Sequence, residues 1–139
     1  MRRGVRAARG DGMGERTVVL LVEDAAVISR MVSYRLEKNG FEVLAAPDGK
    51  AALALLAAAV PDVILLDMSL PGMDGAELCR ILKADERSRH IPVILFTASA
   101  HRDELIARTG ADDVIGKPYE PGEMLETIRR HTTRKKGAP

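Results

Sequence analysis

The chain has 139 residues, of which 46% are hydrophobic and 29% charged, the balance of a soluble single domain with one core and little left over for a second. No apolar run approaches the roughly 20 residues of a membrane helix, which argues against membrane insertion, and the single Cys79 excludes an intrachain disulfide framework and suits a reducing, cytoplasmic setting. The formal charge of +1 hides a layout of +3 over residues 1–16 and +5 over residues 129–136, which leaves −7 on residues 17–128, so nucleic-acid binding by the folded body is disfavoured.

Residues 1–15 are Arg- and Gly-rich without an apolar stretch, and read as a disordered basic arm and not a secretory signal; Met13 is an alternative start. Thr17 to Val22 is a first buried strand ending in Glu23-Asp24. Val27, Ile28, Met31, Val32 and Leu36 recur at helical spacing until Asn39-Gly40 closes the helix. Phe41 to Ala46 is a weaker, edge-like strand. Pro47-Asp48-Gly49 turns the chain into an Ala/Leu-rich helix through Ala59.

The run Val63-Ile64-Leu65-Leu66 leads into Asp67 and then into a loop carrying Pro71, Gly72 and Gly75. A short continuous apolar run of this kind is a strand buried on both faces. A helix follows over about 75–84, with Leu78, Ile81 and Leu82 inward and Cys79 as an inert small hydrophobe on or beside that packed side. A polar link, Asp85 to His90, precedes the strand Val93–Phe96, which ends at Thr97. A helix over about 102–108 stops near Gly110. Asp113–Gly116 is a short last strand ending at Lys117-Pro118, and Pro121 opens a closing helix with Met124, Leu125 and Ile128. A basic tail covers residues 134–139, and His90, His101 and His131 lack metal-ligand spacing and read as surface residues.

Five β-α units with connections long enough for right-handed crossovers predict an α/β, flavodoxin-like parallel sheet of order 2-1-3-4-5, with helices on both faces and the two weak strands at its edges. That order brings Glu23, Asp24, Asp67, Thr97 and Lys117, each at the carboxyl end of a strand, to one rim. Taken singly, each has a plainer role: Asp24 and Thr97 as helix caps, Lys117 as a solvated cation. Taken together they carry chemistry. Two carboxylates about 4 Å apart repel by roughly 4 kcal/mol at an effective dielectric near 20. Three carboxylates and one Lys leave −2, which a divalent cation with oxygen ligands, Mg²⁺ or Mn²⁺, cancels. The central Asp67 is then placed to take up a phosphoryl group.

Val22-Glu23-Asp24, Leu66-Asp67-Met68-Ser69-Leu70-Pro71-Gly72-Met73-Asp74-Gly75, Phe96-Thr97-Ala98 and Lys117-Pro118, in this order, resemble the receiver domain of two-component response regulators over about residues 17–133. The resemblance implies a phosphoacceptor at Asp67, charged by a histidine kinase or phosphotransfer protein in a two-component system or phosphorelay. It implies Mg²⁺ held by Glu23, Asp24, Asp67 and the Ser69 backbone carbonyl. Thr97 and the Ala98 backbone N–H would bind phosphoryl oxygens, and Lys117, next to a cis Lys117-Pro118 bond, would pair with them. It further implies no turnover of a separate substrate, and a downstream protein docking on the face of helix 4, strand 5 and helix 5. No output domain follows the closing helix in this sequence, so a stand-alone receiver is expected.

Two positions depart from the commonest pattern. Val114 stands where the family has an aromatic ring that moves when the Thr engages phosphate, and this keeps open a receiver-like scaffold whose partner binding ignores phosphorylation. Ser69 and Ser99 are small where larger polar groups often tune hydrolysis. Ser69 also argues against a phosphohydrolase, which commonly carries a second Asp there. Neither a G-x-x-x-x-G-K-[ST] nor a G-x-G-x-x-G loop is present.

Overall fold

A computed structural model describes residues 16–98 and 101–137. The elements alternate strictly: β1 (Val18–Val22), α1 (Ala26–Lys38), β2 (Glu42–Ala46), α2 (Gly49–Ala58), β3 (Val63–Asp67), α3 (Gly75–Ala84), β4 (Val93–Thr97), α4 (Arg102–Thr109), β5 (Asp113–Gly116) and α5 (Pro121–Gly137). All strand pairs are parallel and the order is β2-β1-β3-β4-β5. Every residue of β1, β3 and β4 is buried, whereas β2 and β5 are partly open, so the two weak apolar runs do lie at the edges.

Alternation along the strands divides the core into two layers. Leu20, Val22, Ile64, Leu66, Val93 and Leu95 face α2 and α3, where Ala52, Leu78, Cys79 and Leu82 meet them. Val19, Leu21, Val63, Leu65, Ile94 and Phe96 face the other way, onto Val32 and Leu36 of α1 and Met124 and Ile128 of α5. Cys79 sits in the first layer as expected, and burial pushes its thiol up, away from reactivity.

Local chemistry fixes the connections. Asp48 and Asp74 cap α2 and α3 by accepting the Ala51 and Glu77 N–H groups, each at 2.8 Å. Gly40 and Gly110 close α1 and α4 with positive φ of 93° and 82°. At the amino end of the sheet, Asp62 accepts the Val18 N–H and Asp112 the Val93 N–H, both at 2.8 Å. A carboxylate just before one strand thus satisfies the first donor of its neighbour.

Three expectations change. Val27, Ile28 and Met31 do not point inward: they lie exposed on α1, and only Val32 and Leu36 of that apolar set are buried. Apolar periodicity marks a helix, but here the stripe is wider than the face the sheet can cover. Ile81 of α3 is likewise exposed while Leu78 and Leu82 are buried. Finally, α5 continues to Gly137, so residues 134–137 extend the helix instead of forming a tail. The arm at 1–15 and Ser99 lie outside the described residues.

Candidate functional site

Parallel strands end together, so the residues that follow them share one rim. Register places Val22 beside Leu66 and Asp67 beside Phe96, with Thr97 beside Gly116. Glu23 and Asp24 therefore follow β1 at the level of Asp67, and Lys117 follows β5 next to Thr97, whose carbonyl accepts the Lys117 N–H at 2.7 Å.

Asp67 is 5% exposed and both of its oxygens are engaged. The Ser69 N–H donates to Oδ1 at 2.9 Å, and Lys117 Nζ donates to Oδ2 at 3.1 Å from a side chain 36% exposed. Carboxylate oxygens of Glu23, Asp24 and Asp67 lie within 4.8 Å of one another. Glu23 and Asp67 are buried and Asp24 is exposed, so the cluster opens to solvent on the Asp24 side. Burial pushes the Glu23 carboxyl up to about 7; its hydrogen bond to the Ala25 N–H opposes this, while the hydrogen bond and charge of Asp67 add to it and Lys117 opposes it. The cluster is crowded with negative charge that one Lys does not offset.

The plainer roles do not describe these residues. The N-cap of α1 is Ala25, that of α4 is His101, and neither makes a side-chain capping bond, so Asp24 and Thr97 cap no helix. Thr97 is buried at the rim, Ala98 follows it exposed, and Lys117 is paired with Asp67 and not merely solvated. The Lys117-Pro118 bond is cis, as the resemblance implies. Glu23, Asp24, Asp67, Thr97 and Lys117 are thus brought to one rim; Ser69 meets Asp67 through its backbone N–H.

The loop after Asp67 is held by a close approach of backbone. Gly75 opens α3 with its N–H on the Met68 carbonyl at 3.0 Å. A Cβ at Gly75 would lie 2.7 Å from Met68 Cα and inside contact distance of the Asp67 carbonyl oxygen, so only glycine fits. The glycine fixes the loop from which Ser69 reaches the carboxylate.

Sequence reasoning missed two features. One is the exposed apolar face of α1, Val27, Ile28, Met31 and Tyr34, which starts three residues after Asp24. The other is Asp113, buried at the start of β5, with Arg102 Nη2 at 2.6 Å, Arg130 Nη2 at 3.0 Å and His131 Nε2 at 2.9 Å. His131, read as a surface residue, is only 15% exposed in its side chain. Nothing in the spacing of these four residues signals their meeting.

Ions of oxygen preference fit this donor set: three carboxylates, two of them buried, with no thiol or imidazole among them. Among the described residues, no helix is long and apolar enough to cross a membrane.

Comparison with known proteins agrees with the geometry. Residues 19–129 match the family model described as response regulator receiver domain. The chain is 41% identical over 113 residues to the phosphate regulon transcriptional regulatory protein PhoB of Klebsiella pneumoniae, covering 80% of this chain and 49% of that protein. It is 40% identical over 116 residues to the response regulator PleD of Caulobacter vibrioides, covering 82% of this chain and 26% of that one. The chain thus spans about half the length, or less, of the curated relatives it matches.

Solved structures are matched at nearly full length. The receiver domain of a signal transduction histidine kinase from Syntrophus aciditrophicus superposes with a TM-score of 0.80 at 32% identity, over 88% of this chain and 95% of that one. The receiver domain of the sensor histidine kinase PA1611 from Pseudomonas aeruginosa, which holds a magnesium ion in its active-site cleft, gives 0.77 at 30%, over 85% and 98%. Fold, site geometry and relatives lead to one assignment: this chain belongs to the response regulator receiver domain family.

Proposed function

We propose that the chain is a phosphoacceptor switch in a two-component system or phosphorelay. A carboxylate oxygen of Asp67 attacks the phosphorus of a phosphohistidine on a histidine kinase or phosphotransfer protein. The new O–P bond forms as the N–P bond breaks, and its electron pair returns to the donor imidazole. Glu23, Asp24, Asp67 and the Ser69 carbonyl would hold Mg²⁺, with Mn²⁺ as a substitute; when bound, such an ion neutralises charge on the phosphoryl oxygens. Lys117 pairs with one phosphoryl oxygen, and the Thr97 hydroxyl and Ala98 N–H donate to others. The chain works on itself and turns over no separate substrate, in the cytoplasm where such donors act.

The observation that carries this reading is Asp67 itself: buried at the carboxyl end of the central strand, with Lys117 at 3.1 Å and two further carboxylates within 4.8 Å. Treatment with acetyl phosphate is expected to label the protein only when Mg²⁺ is present, and Asp67→Asn is expected to abolish labelling. Equal labelling of Asp67→Asn would refute the assignment.

The exposed apolar face of α1 is the surface on which the phosphodonor docks. Val27, Ile28, Met31 and Tyr34 border the rim, and a phosphohistidine on a helix must approach Asp67 from its solvent side. A downstream protein then reads the α4–β5–α5 face. One observation favours a second reading, a scaffold indifferent to phosphate: position 114 holds Val, half-buried against the core, with no ring to move. Partner capture that is the same with and without beryllofluoride would favour that scaffold.

A further inference from the structure

Asp113 is 4% exposed, yet it carries a full set of charge-assisted partners. Oδ1 accepts from Arg102 Nη2 at 2.6 Å and from the Val114 N–H at 2.9 Å. Oδ2 accepts from Arg130 Nη2 at 3.0 Å and faces His131 Nε2 at 2.9 Å. An ionised carboxylate only accepts, so the proton lies on His131 Nε2. Burial pushes this carboxyl up, but the bonds from His131, Arg102, the Val114 N–H and Arg130 outweigh it and hold the group well below the usual carboxylate range. Arg102 is the first residue of α4, Asp113 the first of β5, and Arg130 and His131 lie on α5. One buried side chain ties three elements together.

We propose that this ionic clasp couples the occupancy of Asp67 to the α4–β5–α5 face, favouring the arrangement in which Asp67 is unmodified. The inference rests on the phosphoacceptor reading. The start of α4 is joined to Thr97 by two routes. One is the chain itself, with four residues between Thr97 and Arg102. The other runs through β5: the Lys117 N–H donates to the Thr97 carbonyl at 2.7 Å at one end of the strand, and Asp113 grips Arg102 at the other. Movement of Thr97 and Ala98 toward a phosphoryl group pulls the first turn of α4, while the clasp holds Arg102 to β5. A charge-assisted bond of 2.6 Å tolerates a few tenths of an ångström, so a larger shift loses it. Lys117 bonds the Asp67 oxygen directly, which marks the clasped arrangement as that of the free carboxylate.

Linkage makes this testable, because coupling between two sites is reciprocal. If phosphoryl binding strains the clasp, cutting the clasp must tighten phosphoryl binding. Arg102→Gln suits the test: Oδ1 keeps the Val114 N–H and Oδ2 keeps both donors on α5, so the carboxylate stays satisfied. The full chain is titrated with beryllofluoride in Mg²⁺, and Arg102→Gln is expected to bind roughly fivefold tighter or more. Arg108→Gln removes the same charge from an exposed position of the same helix and is expected to bind as the unaltered chain does. In the unaltered chain, the Arg102 side-chain N–H resonance, identified by its loss in Arg102→Gln, is expected to shift on saturation. If the unaltered chain binds beryllofluoride but Arg102→Gln binds it equally or more weakly, or the resonance stays still, the coupling is overturned and the phosphoacceptor reading stands. If the unaltered chain does not bind it, both fall.

Discussion

Glu23 shows how much of the site's behaviour one carboxyl decides. Buried beside Asp67, it titrates near 7 instead of near 4.5. Its folded-state value is raised, so its contribution to stability is full below 4.5 and is lost as pH rises through 7. A cation at the cluster must displace that proton. Mg²⁺ affinity, measured by calorimetry, is therefore expected to fall by up to about tenfold per pH unit below 7, with proton release; Glu23→Gln is expected to lose that dependence. An affinity flat from pH 6 to 8 in the unaltered chain would contradict it. Gly75 decides the geometry of the neighbouring loop. Gly75→Ala forces a methyl group into the backbone of Asp67 and Met68 and is expected to cost about 1–3 kcal/mol in urea unfolding. The same change at Gly122, where a Cβ meets nothing within 4 Å, is the control expected to leave stability unharmed.

The elements differ in how plainly their sequences announce them. β1, β3 and β4 were legible because a parallel strand buried on both faces has to be apolar throughout, and the runs ending at Val22, Leu66 and Phe96 are. Their carboxyl-end residues were legible for the same reason, since a parallel sheet delivers them to one rim. Helix α1 misled, because Val27, Ile28 and Met31 fit an inward face by spacing alone, and which side of an apolar helix meets the sheet is a tertiary fact. Asp113 was illegible: its partners lie 11, 17 and 18 residues away, and isolated charges at such separations carry no pattern. The outward face of α1 has a consequence for kinetics. Met31→Glu, at a position 55% exposed, is expected to slow transfer from the protein donor about tenfold or more while leaving the acetyl phosphate rate unchanged. An equal loss with both donors would place Met31 in the fold or the site, and not in docking.

At the scale of the molecule, a sheet whose central strands end together gathers acid at one rim, and its two layers of apolar packing hold the rim rigid. Negative charge concentrated there needs a cation, and the buried Asp67, gripped by Ser69 and Lys117, is the group aimed to react. The faces around the rim divide the labour: α1 beside it receives the donor, and α4, β5 and α5, tied by Asp113, report outward. The most direct test is chemical. The chain is treated with acetyl phosphate and Mg²⁺, reduced with borohydride, digested, and its peptides are sequenced by mass spectrometry. The account predicts conversion of an acyl phosphate to an alcohol at residue 67 alone, absent when Mg²⁺ is chelated; conversion at another carboxylate, or none at residue 67, would contradict it.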